Sequence, residues 1–205
     1  MGRKGGVLGI LLLGLVACEL PYQASISPNA PKLRKYTAAE IEEEALKLLL
    51  QMEVEPAYRA RVVQRVHDYL AQPGFASSLD SPGINAVGGF QAGSGGFIVE
   101  GGAGGGLVSF AGGKQGVRFA MTEFSVGANI GGQGKTGVFL VVGLNHPEKF
   151  PDLYTTIGSG GAVGDLSFKV ETASPERGTH VIQLVESAVG FSGKAGLGKM
   201  RITVE

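Results

Sequence analysis

Glycine is concentrated in one part of this chain and limits what that part can fold into. Of the 35 glycines in 205 residues, 29 lie in residues 83–205. Between them stand short runs rich in Val, Ile and Phe, at 97–99, 107–110, 117–121, 138–142, 166–170, 181–185 and 200–204. Such runs, separated by turn residues, are typical of strands in a sandwich or closed barrel. Because glycine inside a strand costs roughly 0.5–1 kcal/mol against alanine, their number predicts tight turns, bulges or close backbone approaches.

The charge and cysteine content exclude several classes of protein. Lys and Arg number 18, as do Asp and Glu, so the chain as a whole has no general attraction to nucleic acid. A single cysteine excludes an internal disulfide and a cysteine-rich metal site. We therefore expect no nucleic-acid partner, no bound metal and no cofactor.

The N-terminus has the pattern of an export signal. Arg3 and Lys4 precede a ten-residue apolar run, which is too short to span a bilayer as a helix. The run ends in Leu15-Val16-Ala17-Cys18, which resembles the lipobox of bacterial lipoprotein precursors. That resemblance implies removal of residues 1–17 and alkylation of the Cys18 thiol with diacylglycerol, with palmitate among the fatty acids attached at Cys18. An ordinary cleaved signal beside a buried cysteine is the alternative.

Residues 18–36 are predicted to be a flexible tether that follows the lipidated cysteine. They contain three prolines among small and polar residues and show no apolar periodicity. Glu19 stands where enteric-type lipoproteins retained in the inner membrane have aspartate. We therefore expect a lipid-anchored protein of the bacterial cell envelope, on the outer membrane and facing the periplasm if the host has two membranes.

Two helices are predicted at the start of the folded domain, residues 37–205. Thr37-Ala38-Ala39-Glu40 matches a capping box, and apolar residues follow it at helical spacing. Pro56 suits the first position of a second helix, which should stop near Pro73-Gly74. The expected fold class is α+β, with two N-terminal helices packed on a glycine-rich antiparallel β-sheet or small β-barrel.

No catalytic or nucleotide-binding motif is complete. Residues 132–137 contain Gly-Lys-Thr, but Asn129 stands where a phosphate-binding loop needs glycine, and a strand-like run follows instead of a helix. We interpret this segment as a hairpin connection and expect no nucleotide. His67, His146 and His180 lack metal-ligand spacing, so the chain is predicted not to be an enzyme. A deep pocket that gathers His146 or His180 with carboxylates would contradict this.

Glycine-rich segments from residue 83 onward resemble the SYLF domain, a lipid-binding family. Three segments carry the resemblance: Gly96-Phe97-Ile98-Val99-Glu100-Gly101-Gly102 with Gly105-Gly106-Leu107-Val108, Ser125-Val126-Gly127-Ala128-Asn129-Ile130-Gly131, and Ser187-Ala188-Val189-Gly190-Phe191-Ser192-Gly193 with Gly198. They are similar in order and spacing over about 120 residues. The resemblance implies a non-enzymatic domain, with helices packed on an antiparallel sheet or small barrel, that associates with phospholipid surfaces.

Six basic side chains are candidates for contact with lipid headgroups, on grounds of charge and expected position. They are Arg59, Arg61, Arg65, Lys114, Arg118 and Lys135. The alternative is that they are solvated charges, and pairing of the three arginines with Glu42 to Glu44 would remove the basic stripe on the second helix. A rival function is a structural lipoprotein that binds another envelope protein through an edge or face of its sheet.

Overall fold

The computed structural model describes residues 32–72, 83–95, 99–126, 132–162, 168–174, 179–188 and 192–205. Two helices come first in the chain and eight strands follow. The helices are α1 (Ala38–Gln51) and α2 (Pro56–Leu70). The strands are β1 (Ile84–Gly95), β2 (Val99–Phe110), β3 (Val117–Val126), β4 (Gly132–Val142), β5 (Asp152–Ala162), β6 (Phe168–Ser174), β7 (Thr179–Ala188) and β8 (Ser192–Val204).

Both helices begin where the sequence predicts. The Thr37 hydroxyl accepts from the Glu40 N–H and the Glu40 carboxylate accepts from the Thr37 N–H, which completes the capping box of α1. Pro56 occupies the first turn of α2, where its missing N–H costs nothing. The second helix ends at Leu70, slightly before the predicted stop.

The eight strands form one closed antiparallel barrel in the order β1-β2-β3-β8-β5-β6-β7-β4, with β4 pairing back onto β1. Strands occupy the predicted runs 107–110, 117–121, 138–142, 181–185 and 200–204. The α+β class is confirmed. The interpretation of residues 132–137 as a hairpin connection is wrong, because the segment lies within β4 and pairs with both β1 and β7.

Successive side chains along each strand point alternately to the outer and the inner face of the barrel, and this alternation forms two separate hydrophobic cores. On the outer face, helix residues such as Ile41 and Val62 pack with strand residues such as Val87 and Leu140. On the inner face a second cluster fills the barrel with rings, among them Phe139. The five rings of this interior cluster, joined by centroid distances of 5.3–6.3 Å, are Phe90, Phe110, Phe119, Phe139 and Phe150.

Three segments cover one end of the barrel, which we call the closed end. They are the strap (residues 32–36), the β2–β3 turn (111–116) and the β4–β5 loop (143–151). The Leu33 N–H donates to the Asn145 carbonyl at 2.8 Å, and the Arg34 N–H donates to the Ala111 carbonyl at 3.2 Å. Phe150, from the loop, is fully buried in the interior cluster, and Leu33 packs against the same cluster. The closed end is therefore sealed by side chains as well as by backbone.

The strap is also bonded to the first strand, although the sequence assigned it to the tether. The Tyr36 N–H donates to the Ile84 carbonyl at 2.8 Å. The buried Asn85 amide donates through Nδ2 to the Arg34 carbonyl, also at 2.8 Å. Residues 32–36, which were predicted to belong to the tether, are thus bonded to the folded domain.

Candidate functional site

The three arginines of the predicted basic stripe lie on α2, which packs against β4 and β7. Arg59 is half-buried, and its Nη1 donates to the Val54 carbonyl at 3.1 Å. Arg61 is exposed and lies over the ring of Tyr58, 4.5 Å from its centroid. Arg59 and Arg61 therefore have identified partners on the surface of the protein itself.

Two of the three consecutive glutamates of α1 have other identified partners. His67 Nδ1 lies 2.9 Å from Glu42 Oε1, which joins the end of α2 to the start of α1. Glu44 accepts a short hydrogen bond of 2.6 Å from the Ser109 hydroxyl and lies 3.5 Å from the Lys47 ammonium. Glu42 and Glu44 thus hold α1 to α2 and to β2.

Lys114 and Arg118 lie on a different side of the barrel from α2. Lys114 is exposed in the β2–β3 turn, and Arg118 is exposed near the start of β3. The barrel order places β1 and β2 between β4, under α2, and β3. The six predicted lipid contacts therefore do not form one continuous surface.

Lys135 departs most from its predicted role. Its strand partner is Ala92, which pairs with Gly104, and Gly104 pairs with the buried Met121 of the interior cluster. Cross-strand partners share a face, so Lys135 lies on the inner face of the barrel. Its Nζ is 3.3 Å from Oε2 of Glu123, and the two side chains are only 15% and 14% exposed. This interior ion pair, which the sequence did not reveal, removes Lys135 from the headgroup surface.

Small residues make the interior ion pair possible. Glu123 pairs with Gly102, and Lys135 pairs with Ala92, so β1 and β2 separate the two charged residues. Gly104 lies between them on the same inner face. With no long side chains on these positions, the lysine and the glutamate reach each other across two strands.

A second polar group lies buried under α1. Ser109 is fully buried, donates to Glu44 and accepts from the Gly116 N–H at 3.0 Å. Tyr36 is buried nearby in the outer core, and this burial raises its pKa to about 12. The phenol is therefore neutral throughout the physiological range. A serine bonded to a carboxylate but sealed from solvent is a structural tie between helix and barrel, not an exposed nucleophile.

The closed end brings Lys114, one of the six predicted contacts, together with basic side chains that were not predicted as lipid contacts. In the strap these are Lys32, Arg34 and Lys35; Lys114 stands in the turn and Lys149 in the loop. Arg34 forms a bidentate pair with Glu40, with bonds of 2.7 and 3.0 Å. Hydrogen bonds from Arg34, and further ones from Thr37, lower the pKa of Glu40 to about 2.

One shallow groove of about 390 Å³ lies on the outer face of the barrel over β1, β2 and β4. It is lined by residues 91–93, Ala103 and residues 134–136. Its walls are mostly glycine, alanine and backbone, and the charged head of Lys135 is engaged in the interior pair. The groove therefore presents little chemistry with which to bind a specific ligand.

Other predicted features are placed as follows. Cys18 lies outside the described residues. His146 is in the β4–β5 loop, and its Nδ1 is buried. Across residues 32–72, 83–95 and the later described ranges, no three His, Cys, Asp or Glu side chains are grouped to hold a metal ion. Within those same ranges no helix is both long and apolar enough to cross a membrane.

Comparison with known proteins gives no relative for this chain: no family model, no curated protein and no solved structure matches it.

Proposed function

We propose that this protein is a non-enzymatic lipoprotein of the bacterial cell envelope, anchored by acylated Cys18, whose SYLF-like domain binds phospholipid surfaces. The observation that carries the proposal is the single cysteine of the chain, which stands at the end of Leu15-Val16-Ala17-Cys18 directly after the apolar run. A thiolate is the nucleophile that thioether formation requires, and the small Ala17 fits a peptidase site. The expected location is the outer membrane, facing the periplasm, if the host has two membranes.

The attachment would use two signals. Acyl chains on Cys18 supply about 0.8 kcal/mol for each CH2 group buried in lipid, and contact by the folded domain adds to this. The two helices and the glycine-rich antiparallel barrel would form the SYLF-like domain. That arrangement agrees with what the resemblance implies, and it supports the proposal at the level of fold class.

A structural lipoprotein that binds another envelope protein is the alternative function. Each strand of the barrel pairs with a neighbour on both sides, although only three residue pairs join β5 to β6, so no described strand has a wholly unpaired edge for strand addition. The faces are therefore the larger surface for a partner. The exposed side chains of Leu46 and Leu50, one turn apart on α1, favour that version.

Mass spectrometry of the protein expressed in a bacterial host tests the anchor. We expect an N-terminal peptide that begins at Cys18 and carries diacylglycerol, and recovery of the protein with membranes. Cys18→Ser is the matched control and should abolish the modification and leave residues 1–17 uncleaved by the lipoprotein peptidase. An unmodified Cys18 in the wild-type protein would contradict the proposal.

A further inference from the structure

The closed end of the barrel differs in charge from the rest of the molecule. Its three segments span 20 residues and contain five basic side chains but one acidic one, Glu148, whereas the whole chain has 18 of each kind. The basic side chains are Lys32, Arg34, Lys35, Lys114 and Lys149. Counted with Glu40, which binds Arg34, and with Glu148, the three segments have a formal net charge of +3. Lys35 and Lys149 have further interactions of their own, and Glu205, whose N–H donates to the Arg118 carbonyl, adds one acidic side chain at the same end.

These charges are displayed outward. Lys32, Lys35 and Lys114 are exposed, and the side chain of Arg34 is 52% exposed even while it binds Glu40. The backbone that carries them is held in place, since the strap is bonded to both the turn and the loop. Turn residues Gly112 and Gly116 adopt φ of +76° and +60°, which fits glycine and fixes the direction in which Lys114 projects.

The chain toward Cys18 also leaves from this end. Because the strap is bonded to Asn145, Ala111 and Ile84, residue 32 is held at the closed end. Residues 18–31 can span at most about 50 Å at 3.3–3.6 Å per residue. An anchor at Cys18 would thus keep the closed end within reach of the bilayer surface and leave the opposite end of the barrel further away.

We propose that the closed end of the barrel is the surface that contacts membrane, and that its lysines bind the headgroups of anionic phospholipids. The inference rests on the proposed function and names the surface used by the lipid-binding domain. It assigns this role to the strap, the turn and the loop in place of the arginines on α2. Each basic residue near an anionic surface is expected to contribute about fivefold in affinity.

Charge reversal tests the assignment. The protein used is the chain from residue 18 onward with Cys18→Ser, so that acylation cannot contribute. Flotation is measured on vesicles of phosphatidylcholine alone and of phosphatidylcholine with phosphatidylglycerol. We expect binding to the anionic vesicles only, and weaker binding at high salt. Lys32→Glu with Lys114→Glu should weaken that binding at least tenfold.

The matched control reverses two charges on the helix, by Arg61→Glu with Arg65→Glu, and should change binding less than twofold. Thermal melts monitored by circular dichroism check that each variant is folded. If the helix variant loses binding and the closed-end variant keeps it, or if neither variant changes it, the closed end is the wrong surface while lipid binding by the domain stands. If the unsubstituted chain floats on neither vesicle, lipid binding by the domain fails, and the surface assignment fails with it.

A second measurement locates the contact directly. In the Cys18→Ser chain, Lys114→Cys and Ala60→Cys each introduce one labelling site, at the closed end and on α2 respectively, both exposed. A polarity-sensitive fluorophore on position 114 should respond to anionic vesicles, and the same fluorophore on position 60 should not. A response at position 60 alone would overturn the proposal.

Discussion

Lys135 and Glu123 form an ion pair inside the barrel, although two strands lie between them. Burying two charges costs desolvation energy that their mutual attraction only partly offsets. The ion pair therefore adds little to the net stability of the fold. Removing one of its charges would nevertheless cost more, because the other charge would stay in a low-dielectric interior. The sequence could not reveal the pair, because 12 positions separate the partners and the Gly-Lys-Thr segment that contains Lys135 does not indicate a partner for the lysine.

The first prediction concerns the removal of one residue of the interior ion pair. Lys135→Met should lower the free energy of unfolding by about 3 kcal/mol, because the Glu123 carboxylate remains buried without this cation. The double variant Lys135→Met with Glu123→Leu should recover most of the loss, since neither charge is then buried. Urea denaturation of the wild-type protein, the single variant and the double variant measures the free energy of unfolding of each.

An exposed lysine provides the control for that experiment. Lys114→Met removes the same charge from the β2–β3 turn and should change stability by less than about 0.5 kcal/mol. A cost below about 1 kcal/mol for Lys135→Met would show that water reaches the pair freely and that the interior is not closed around it.

Glycines within strands make room for aromatic rings. A Cβ on Gly88 would overlap the ring of Phe139 inside the barrel, and one on Gly137 would lie 2.8 Å from the ring of Phe90. By contrast, a Cβ on Gly101 of β2 would meet nothing within 4 Å. At Gly88 the ring of another strand occupies the space of a side chain, and at Gly137 the Leu184 carbonyl, 2.6 Å from such a Cβ, and the Phe90 ring occupy it together.

Gly88→Ala is therefore expected to destabilise the element that contains it. Overpacking against Phe139 should cost about 1–3 kcal/mol, whereas Gly101→Ala should be neutral or stabilise by about 0.5 kcal/mol. Adding Phe139→Leu to Gly88→Ala should recover part of the loss, because the smaller side chain vacates the space. Equal effects of the two alanines in chemical denaturation would show that contact with the Phe139 ring does not determine the effect of Gly88→Ala.

Local signals predicted the elements better than their arrangement. The capping box at Thr37 and the proline at position 56 mark helix starts through hydrogen bonds and dihedrals within a few residues, so both were found. Residues 132–137 were assigned to a turn because glycine favours turns. Their actual reason lies on other strands, where Phe90 needs the space over Gly137. The interior ion pair and the basic closed end depend on strand order, which no local pattern specifies.

The strap connects α1 and the barrel into one unit. The Arg34 N–H donates to the Ala111 carbonyl and the Arg34 carbonyl accepts from the Asn85 side-chain amide, while the guanidinium binds the Glu40 carboxylate in the first turn of α1. Because the Arg34 hydrogen bonds are the largest cause of the lowered pKa of Glu40, the ionised carboxylate is the form that stabilises the folded state. Its contribution is present above the unfolded-state pKa near 4.5 and is lost as pH falls toward 2.

Glu40→Gln should thus lower the thermal midpoint at pH 6, because the amide cannot pair with Arg34 as an anion. The difference from the wild-type protein should shrink between pH 4.5 and 2, where the wild-type carboxylate becomes protonated as well. Thermal melts of the two proteins at a series of pH values measure this difference in thermal midpoint. Glu43→Gln, an exposed carboxylate on the same helix, is the control. A difference that stays constant down to pH 2 would assign the effect to the capping geometry instead of the charge.

Tension applied to the backbone at residue 32 would load the strap before the described helices and strands. Hydrogen bonds at Leu33, Arg34, Tyr36 and the Asn85 side chain join the strap to the barrel and its loops, and the Arg34 guanidinium binds Glu40 of α1. These hydrogen bonds follow one another along the strap. A pull from residue 32 would therefore break them in sequence and not all at once. The paired strands of the barrel would remain intact until the hydrogen bonds of the strap had broken. The strap is thus expected to open under tension before the barrel does.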